Sequence, residues 1–147
     1  MTDFAAFVAQ QDAKNTIQLN VLKHCFMLCD ALIQNYHDYA IKGHQHHIYT
    51  HGDPGGYHAE QIEKLKQGIS PINFTVDTGR KYHKIVFTDG GGSRSVHAFI
   101  DKKTGEVYKS ASWKAPAKGV RYDLRNIKQR EWLLENADWS GGYLYSR

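Results

Sequence analysis

Residues 81–113 read KYHKIVFTDGGGSRSVHAFIDKKTGEVYKSASW, which is three alternating runs separated by two turns. In the first run His83, Ile85 and Phe87 fall on one side, because successive strand residues point to opposite faces. The connection DKKTGE contains Gly105, which can adopt the positive φ of a tight hairpin turn. The pattern therefore predicts a small antiparallel β-meander.

The region before this meander has helical periodicity. An apolar stripe with steps of three and four predicts a helix. Residues 14–16, KNT, are a candidate break, because Asn and Thr weaken a helix. The next segment, residues 41–58, is rich in glycine and histidine and predicts a loop with a short strand at residues 47–50. The stripe consists of Leu22, Cys25, Cys29, Leu32 and Tyr36.

The C-terminal end predicts one more helix and a final strand. Asn126 and Gln129 have the spacing of a helix capping box, and residues 143–145 favour a short last strand. The predicted fold is α+β, with N-terminal helices packed on the antiparallel meander, followed by the C-terminal helix and last strand. It occupies a single domain, residues 1–147, with a mainly helical part before residue 71 and a basic β-rich part after it.

Composition indicates a soluble globular protein. The chain has 147 residues, 41% hydrophobic and 23% charged, and its N-terminus lacks the pattern of a secretory signal. No uninterrupted apolar stretch is long enough for a span, so no membrane partner is predicted. Charge is divided unevenly: residues 1–70 hold 5 Lys/Arg against 7 Asp/Glu, and residues 71–147 hold 14 against 8. Two halves of such different charge suggest different roles.

The basic half carries the main candidate site. Residues 79–130 contain 13 Lys/Arg and 4 Asp/Glu, with aromatic residues interleaved. Cations along the phosphates and flat rings stacked on bases are what hold single-stranded nucleic acid. The alternative is a solvated basic sheet with its aromatics in the core, and Trp113, on the side of Val107, favours a core position. The candidate contacts are Lys84, Arg94, Tyr108, Lys109, Trp113, Lys114, Lys118, Arg121 and Arg125.

Metal and catalytic sites are weaker candidates. The histidine-rich segment lacks an HExxH or CxxC pattern, so a polar loop is favoured over a metal site, and no cofactor is predicted. A nuclease-like pocket needs a base, an acid and a charge stabiliser together, but such generic residues occur in most domains. A non-enzymatic protein is therefore favoured over an enzyme. The weak metal candidates are His44, His46, His47 and His51, and the catalytic candidates are His83, His97, Asp89 and Arg94.

Residues 96–122, VHAFIDKKTGEVYKSASWKAPAKGVRY, together with GGYLY at residues 141–145, resemble a group of small uncharacterised proteins of tailed bacteriophages. The resemblance extends over about residues 82–145 and leaves out the helical part. It implies viral origin, and hence action in the cytoplasm of an infected bacterium or in the virion. It implies no activity, cofactor or catalytic residue.

Three functions are ranked on these observations. The leading hypothesis is a non-enzymatic phage accessory protein that binds nucleic acid, with single strands favoured, through the basic aromatic sheet face and residues 114–125. The alternative is a virion or assembly protein whose surfaces form contacts in a homo-oligomer. The third is a metal-dependent hydrolase or nuclease that uses the histidine-rich segment.

Overall fold

The computed structural model describes residues 4–145, apart from the side chains of residues 4, 6–8, 11 and 12. The helices are α1 (Phe4–His51), α2 (Tyr57–Lys66) and α3 (Ile127–Asn136), and a 3-10 turn (Gly142–Leu144) follows them. The α+β fold class is confirmed. The strands are β1 (Asn73–Thr78), β2 (Tyr82–Thr88), β3 (Arg94–Asp101), β4 (Glu106–Lys109) and β5 (Tyr122–Asp123).

The sheet is an antiparallel meander in the order β1-β2-β3-β4-β5. The predicted runs form β2, β3 and β4, and the sequence analysis missed the two edge strands. Ile85 pairs with Ala98 whereas Val86 pairs with Val96, so His97 is an extra residue in β3. An extra residue of this kind is a β-bulge, which re-aims the side chain that it carries.

The two faces of the sheet have different neighbours. The inner face carries Ile85, Ala98, Ile100 and Val107, which form one hydrophobic core with the buried side of α1. The outer face carries the alternate residues of the same strands, including Phe99. Helix α1 supplies Val21, Cys25, Leu28, Cys29 and Leu32 to the core, and both cysteines are free thiols.

Helix α1 is longer than the sequence predicts. It is continuous through residues 14–16, so the predicted break is absent, and residues 41–51 are helical, so the loop prediction is wrong there. A glycine inside a helix costs about 1 kcal/mol relative to alanine, and contacts with α2, whose Leu65 is buried, offset the cost of Gly43. The helix ends where Gly52, at φ 73°, donates its N–H to the carbonyl of Ile48.

The C-terminal helix begins as predicted, but the last strand does not form. The Asn126 side chain accepts the N–H of Gln129 at 3.1 Å. Residues 142–144 form the 3-10 turn, because the Asp138 carboxylate accepts the N–H groups of Gly142 and Tyr143 at 3.0 and 3.1 Å. These bonds hold the backbone in a tight turn rather than in an extended strand.

One segment of α1, Ala13–His51, is long and apolar enough to cross a membrane by length and composition alone. The core helix of a soluble protein meets the same criterion, and α1 buries one side against the sheet. The absence of a membrane partner therefore stays a prediction.

Candidate nucleic-acid interface

The outer face of the sheet carries a group of aromatic residues. Phe99 is fully buried although it lies outside the main core. The Tyr82 ring packs edge-on against Phe99 at 5.6 Å and against Tyr108 at 6.1 Å between centroids. Burial and the nearby Glu106 raise the pKa of Tyr108, so its hydroxyl is neutral. Tyr82 and Tyr108 thus form a partly accessible pair of nearly perpendicular rings beside a buried one.

Trp113 lies at the tip of a projecting turn. The N–H groups of Ala111 and Ser112 both donate to the carbonyl of Ala115, at 3.0 and 3.1 Å. The two sides of the projection are joined by an antiparallel bridge between Ser110 and Pro116. Because of this turn, Trp113 does not continue the alternation of β4, and its side chain is 41% exposed. The expectation that Trp113 is a core residue is therefore wrong.

Two cations from the sheet lie beside the Trp113 ring. The Lys84 ammonium is 5.0 Å from its centroid, and the Arg94 guanidinium carbon is 5.4 Å from it. Both distances are within the range of cation–π attraction. Lys84 also lies 5.8 Å from the Phe99 ring. We name Tyr82, Lys84, Arg94, Tyr108 and Trp113 the outer-face patch.

Three more predicted contacts follow Trp113 along the chain. Lys114 and Lys118 are exposed in the projecting segment. Arg121 is partly buried, and its side chain donates to the carbonyl of Gly119 at 3.5 Å while its N–H bonds to Val107. The two lysines extend the charge of the outer-face patch, and Arg121 helps to fix the end of the segment.

Lys109 lies on the opposite side of the sheet. It pairs with Ala98, an inner-face residue, and its ammonium is 4.2 Å from the Tyr145 ring centroid. Both residues line a cleft of about 360 Å³ beside His97 and Trp139. Lys109 is therefore separated from the outer-face patch.

Arg125 is also remote from the outer-face patch. It lines a cleft of about 220 Å³ against α1, together with Ile17, His24 and Arg130. Its aliphatic stem lies against Gly105 at the β3–β4 turn. Of the nine predicted contact residues, seven thus lie on the outer face or in the segment that follows β4, while Lys109 and Arg125 face elsewhere.

The outer face also carries carboxylates at one end. Glu106 and Asp123 pair across β4 and β5, and Asp101 pairs with Tyr82. Asp101 accepts the N–H groups of Lys103 and Thr104, and Asp123 accepts that of Arg125. The outer face thus carries charges of both signs: Asp77 pairs with Lys84 across β1 and β2, and the Lys81 ammonium lies over the Tyr82 ring at 5.3 Å.

The histidine-rich segment forms a cluster between α1 and α2. The Nδ1 atoms of His44 and His58 are 2.8 Å apart, and the His47 ring lies 4.0 Å from the His58 ring and 4.8 Å from the His51 ring. His46 is exposed and makes no ring contact with these four. Within residues 4–145, no three His, Cys, Asp or Glu side chains form a group that could hold a metal ion.

The catalytic candidates are not assembled into one pocket. His83 bonds Thr78 through Nδ1 at 2.8 Å, and His97 bonds the Tyr143 hydroxyl through Nε2 at 2.7 Å. Asp89 accepts two turn N–H groups, those of Gly91 and Ser93. Each side chain thus has its own structural partner. Burial lowers the pKa of His97 to about 4, so the ring is neutral at pH 7.

Comparison with known protein families assigns the chain to one of them. A family model matches residues 4–146, which include every residue that the structure describes. The chain belongs to DUF7717, a family of unknown function. No curated protein and no solved structure is significantly similar to it. The match covers α1, the sheet and α3, and the family description assigns no activity to the outer-face patch.

Tyr82 is missing from the predicted contacts. Its alternation with Lys84 along β2 places both on one face, and that signal is visible in the sequence. The position of Trp113 beside Lys84 and Arg94 depends on the projecting turn. No periodicity in the sequence specifies that position.

Proposed function

We propose that the protein is a non-enzymatic nucleic-acid-binding protein and that single strands bind to the outer-face patch. The observation that carries the proposal is the Trp113 ring, which is exposed at the tip of a built projection with Lys84 and Arg94 beside it. An unpaired base can stack on an exposed ring, and the two cations over the same ring would attract the adjoining phosphates.

Single strands fit this surface better than a duplex. Bases in a duplex are stacked on each other, so an exposed tryptophan has no free base face to contact, whereas bases of a single strand are available. Lys114 and Lys118 continue the positive charge along the projection. The strand is therefore expected to pass over the part of the outer face that carries Lys84, Arg94 and Trp113 and to continue along the projection.

The setting of this activity is also a proposal. The resemblance of residues 96–122 to tailed-bacteriophage proteins supports a viral origin. The protein would then act on nucleic acid in the cytoplasm of an infected bacterium or inside the virion. Neither setting requires a cofactor for the binding reaction.

The direct test is a salt series with a labelled single-stranded oligonucleotide and the purified full chain. Each phosphate contact to a single strand contributes about 0.7 to the slope of log affinity against log salt. The double variant Lys84→Ala/Arg94→Ala should therefore reduce the slope by about 1.4 and weaken binding at low salt. The matched control is Lys23→Ala/Lys42→Ala, which removes the same charge from exposed positions on α1.

Two results would contradict the proposal. One is an absence of oligonucleotide binding by the wild-type chain at low salt. The other is an equal loss in the control variant, which would show that net charge rather than the outer-face patch governs binding.

An assembly role is the second candidate, and one observation favours it. Leu19 is 67% exposed and Phe26 is 53% exposed on α1, seven residues apart and so on the same side of the helix. Light scattering with the full chain and the double variant Leu19→Gln/Phe26→Gln tests it. A homo-oligomer that the variant dissociates would support assembly, and a wild-type monomer at high concentration would exclude self-assembly through α1.

A further inference from the structure

The contact between α1 and α2 contains four imidazole rings and one carboxylate. His44, His47 and His51 come from α1, and His58 comes from α2. Asp53, in the connection, accepts the N–H groups of His58 and Ala59 at 3.1 and 2.9 Å. The Tyr57 ring lies 6.2 Å from that of His44, and Thr50 bonds the His51 ring at 2.7 Å.

The His44–His58 contact exists in only some protonation states. A hydrogen bond between two Nδ1 atoms at 2.8 Å needs one N–H and one free lone pair. If both rings are protonated, both nitrogens carry hydrogen, and the bond is replaced by repulsion between two cations. Protonation of His47, whose ring is tilted against that of His58 with 4.0 Å between centroids, adds a third charge to the same space.

The surroundings give little compensation for such charge. Asp53 is the carboxylate next to the rings, and both of its oxygens already accept backbone N–H groups of α2. Those bonds, first that of Ala59, lower the pKa of Asp53, so it is ionised over the relevant range. Even so, burial and the proximity of His58 lower the pKa of both His44 and His47. The packed arrangement therefore favours neutral rings.

We infer that the His44–His47–His51–His58 cluster is a pH-sensitive latch that holds the start of α2 on α1 and releases it on acidification. The cluster lies at the start of α2, and Leu65 is the one residue of α2 that is buried. Next to Leu65, α1 and α2 enclose a cleft of about 570 Å³ lined by His37 and Ile41. Release of α2 would widen this cleft and expose the apolar residues in its mixed lining, Ile33, Ile41 and Leu65.

The sign of the effect follows from the lowered pKa values. The folded cluster binds fewer protons than the unlatched one, so the latched state is favoured above about pH 6.5, the ordinary pKa of histidine. It is lost progressively as pH falls below that value. The sheet and the middle of α1 are held by apolar contacts and should stay folded while α2 detaches.

Hydrogen exchange of the full chain, measured by mass spectrometry at pH 7.5 and 5.5 and corrected for intrinsic rates, tests the latch. Protection of α2 (Tyr57–Lys66) should fall severalfold as the rings become protonated. Protection of β2 and β3 should change little over the same interval. Unchanged protection of α2, or an equal fall in the sheet, would overturn the inference.

Two variants locate the effect. In His44→Gln/His47→Gln, glutamine keeps a polar side chain without a titrating ring, so the loss of protection between pH 7.5 and 5.5 should shrink severalfold. His46→Gln, at an exposed position outside the cluster, should keep the wild-type response. A full response in the double variant, or its disappearance in the control, would assign the pH dependence to other groups and refute the latch.

Discussion

The two faces of one sheet carry opposite chemistry on shared strands. On the inner face Ile85, Ile100 and Val107 are fully buried under α1. On the outer face Lys84 and Tyr108, which alternate with them, remain partly accessible beside Trp113. The inner face therefore stabilises the fold, and the outer face is free to vary its contacts without disturbing the core. Substitutions on the inner face should change the stability of the fold, whereas substitutions on the outer face should change binding.

The largest expected effect is on the inner face. Ile100→Ala should lower the free energy of unfolding by about 2 to 5 kcal/mol, because it leaves a cavity in the core. The control, Ile69→Ala, removes the same atoms from an exposed position and should change stability by less than about 1 kcal/mol. Urea denaturation gives both values, and similar losses in the two variants would contradict the division between core and surface.

The next largest effect is the loss of stability at acid pH that arises from His97, at the edge of the inner face. The pKa of His97 is lowered to about 4 by burial, so the folded state resists its protonation. Stability from this group is complete above pH 6.5 and is lost as pH falls from 6.5 toward 4, by up to about 3 kcal/mol. Urea denaturation at pH 7 and 5 should show a smaller fall for His97→Gln than for the wild type. An equal fall would assign the acid response to other groups.

Trp113→Ala probes the outer face. A stacked base contributes about 1 to 3 kcal/mol, so the affinity for a single-stranded oligonucleotide should fall about 5- to 150-fold while the fold stays intact. The control is Trp132→Ala: Trp132 is 45% exposed but lies on α3, stacked on Tyr122 at 5.4 Å. Fluorescence anisotropy compares the two variants, and equal losses would remove the special role of Trp113.

The smallest expected effect is the difference in nucleic-acid binding between a cation of the outer-face patch and a cation outside it. Arg125→Ala removes a positive charge beside α1 and should leave both the affinity and the salt slope nearly unchanged. Lys84→Ala removes one positive charge from the outer-face patch and should lower the slope of log affinity against log salt by about 0.7. If Arg125→Ala has the larger effect in the salt series, the nucleic acid passes over a different surface.

The sequence predicts the elements whose patterns are local. Strands β2 and β3 alternate visibly, and the cap at Asn126 forms as predicted. The bulge at His97 is different, because it depends on the register between two strands. That register, rather than the alternation of β3 itself, turns His97 toward the Phe74 ring at 5.3 Å.

Other errors arise where tertiary contacts outweigh local preference. Gly43 and the histidines after it indicate a loop, but packing against α2 keeps the helix going to His51. The final residues alternate like a strand, but the Asp138 carboxylate folds them into a turn. For the candidate site, alternation places Lys84 and Tyr108 on one face, whereas the location of Trp113 depends on turn hydrogen bonds that no residue pattern encodes.

Helix α1 gives the molecule an elongated profile. Its 48 residues extend for about 72 Å, whereas a seven-residue strand such as β2 extends for only about 23 Å. The sheet can therefore support only the middle of this rod. Small-angle scattering should report a longest dimension close to the rod length, well beyond that of a sphere of 16.8 kDa. The N-terminal end of α1 has room to meet a neighbour, whereas α2 packs against its C-terminal part.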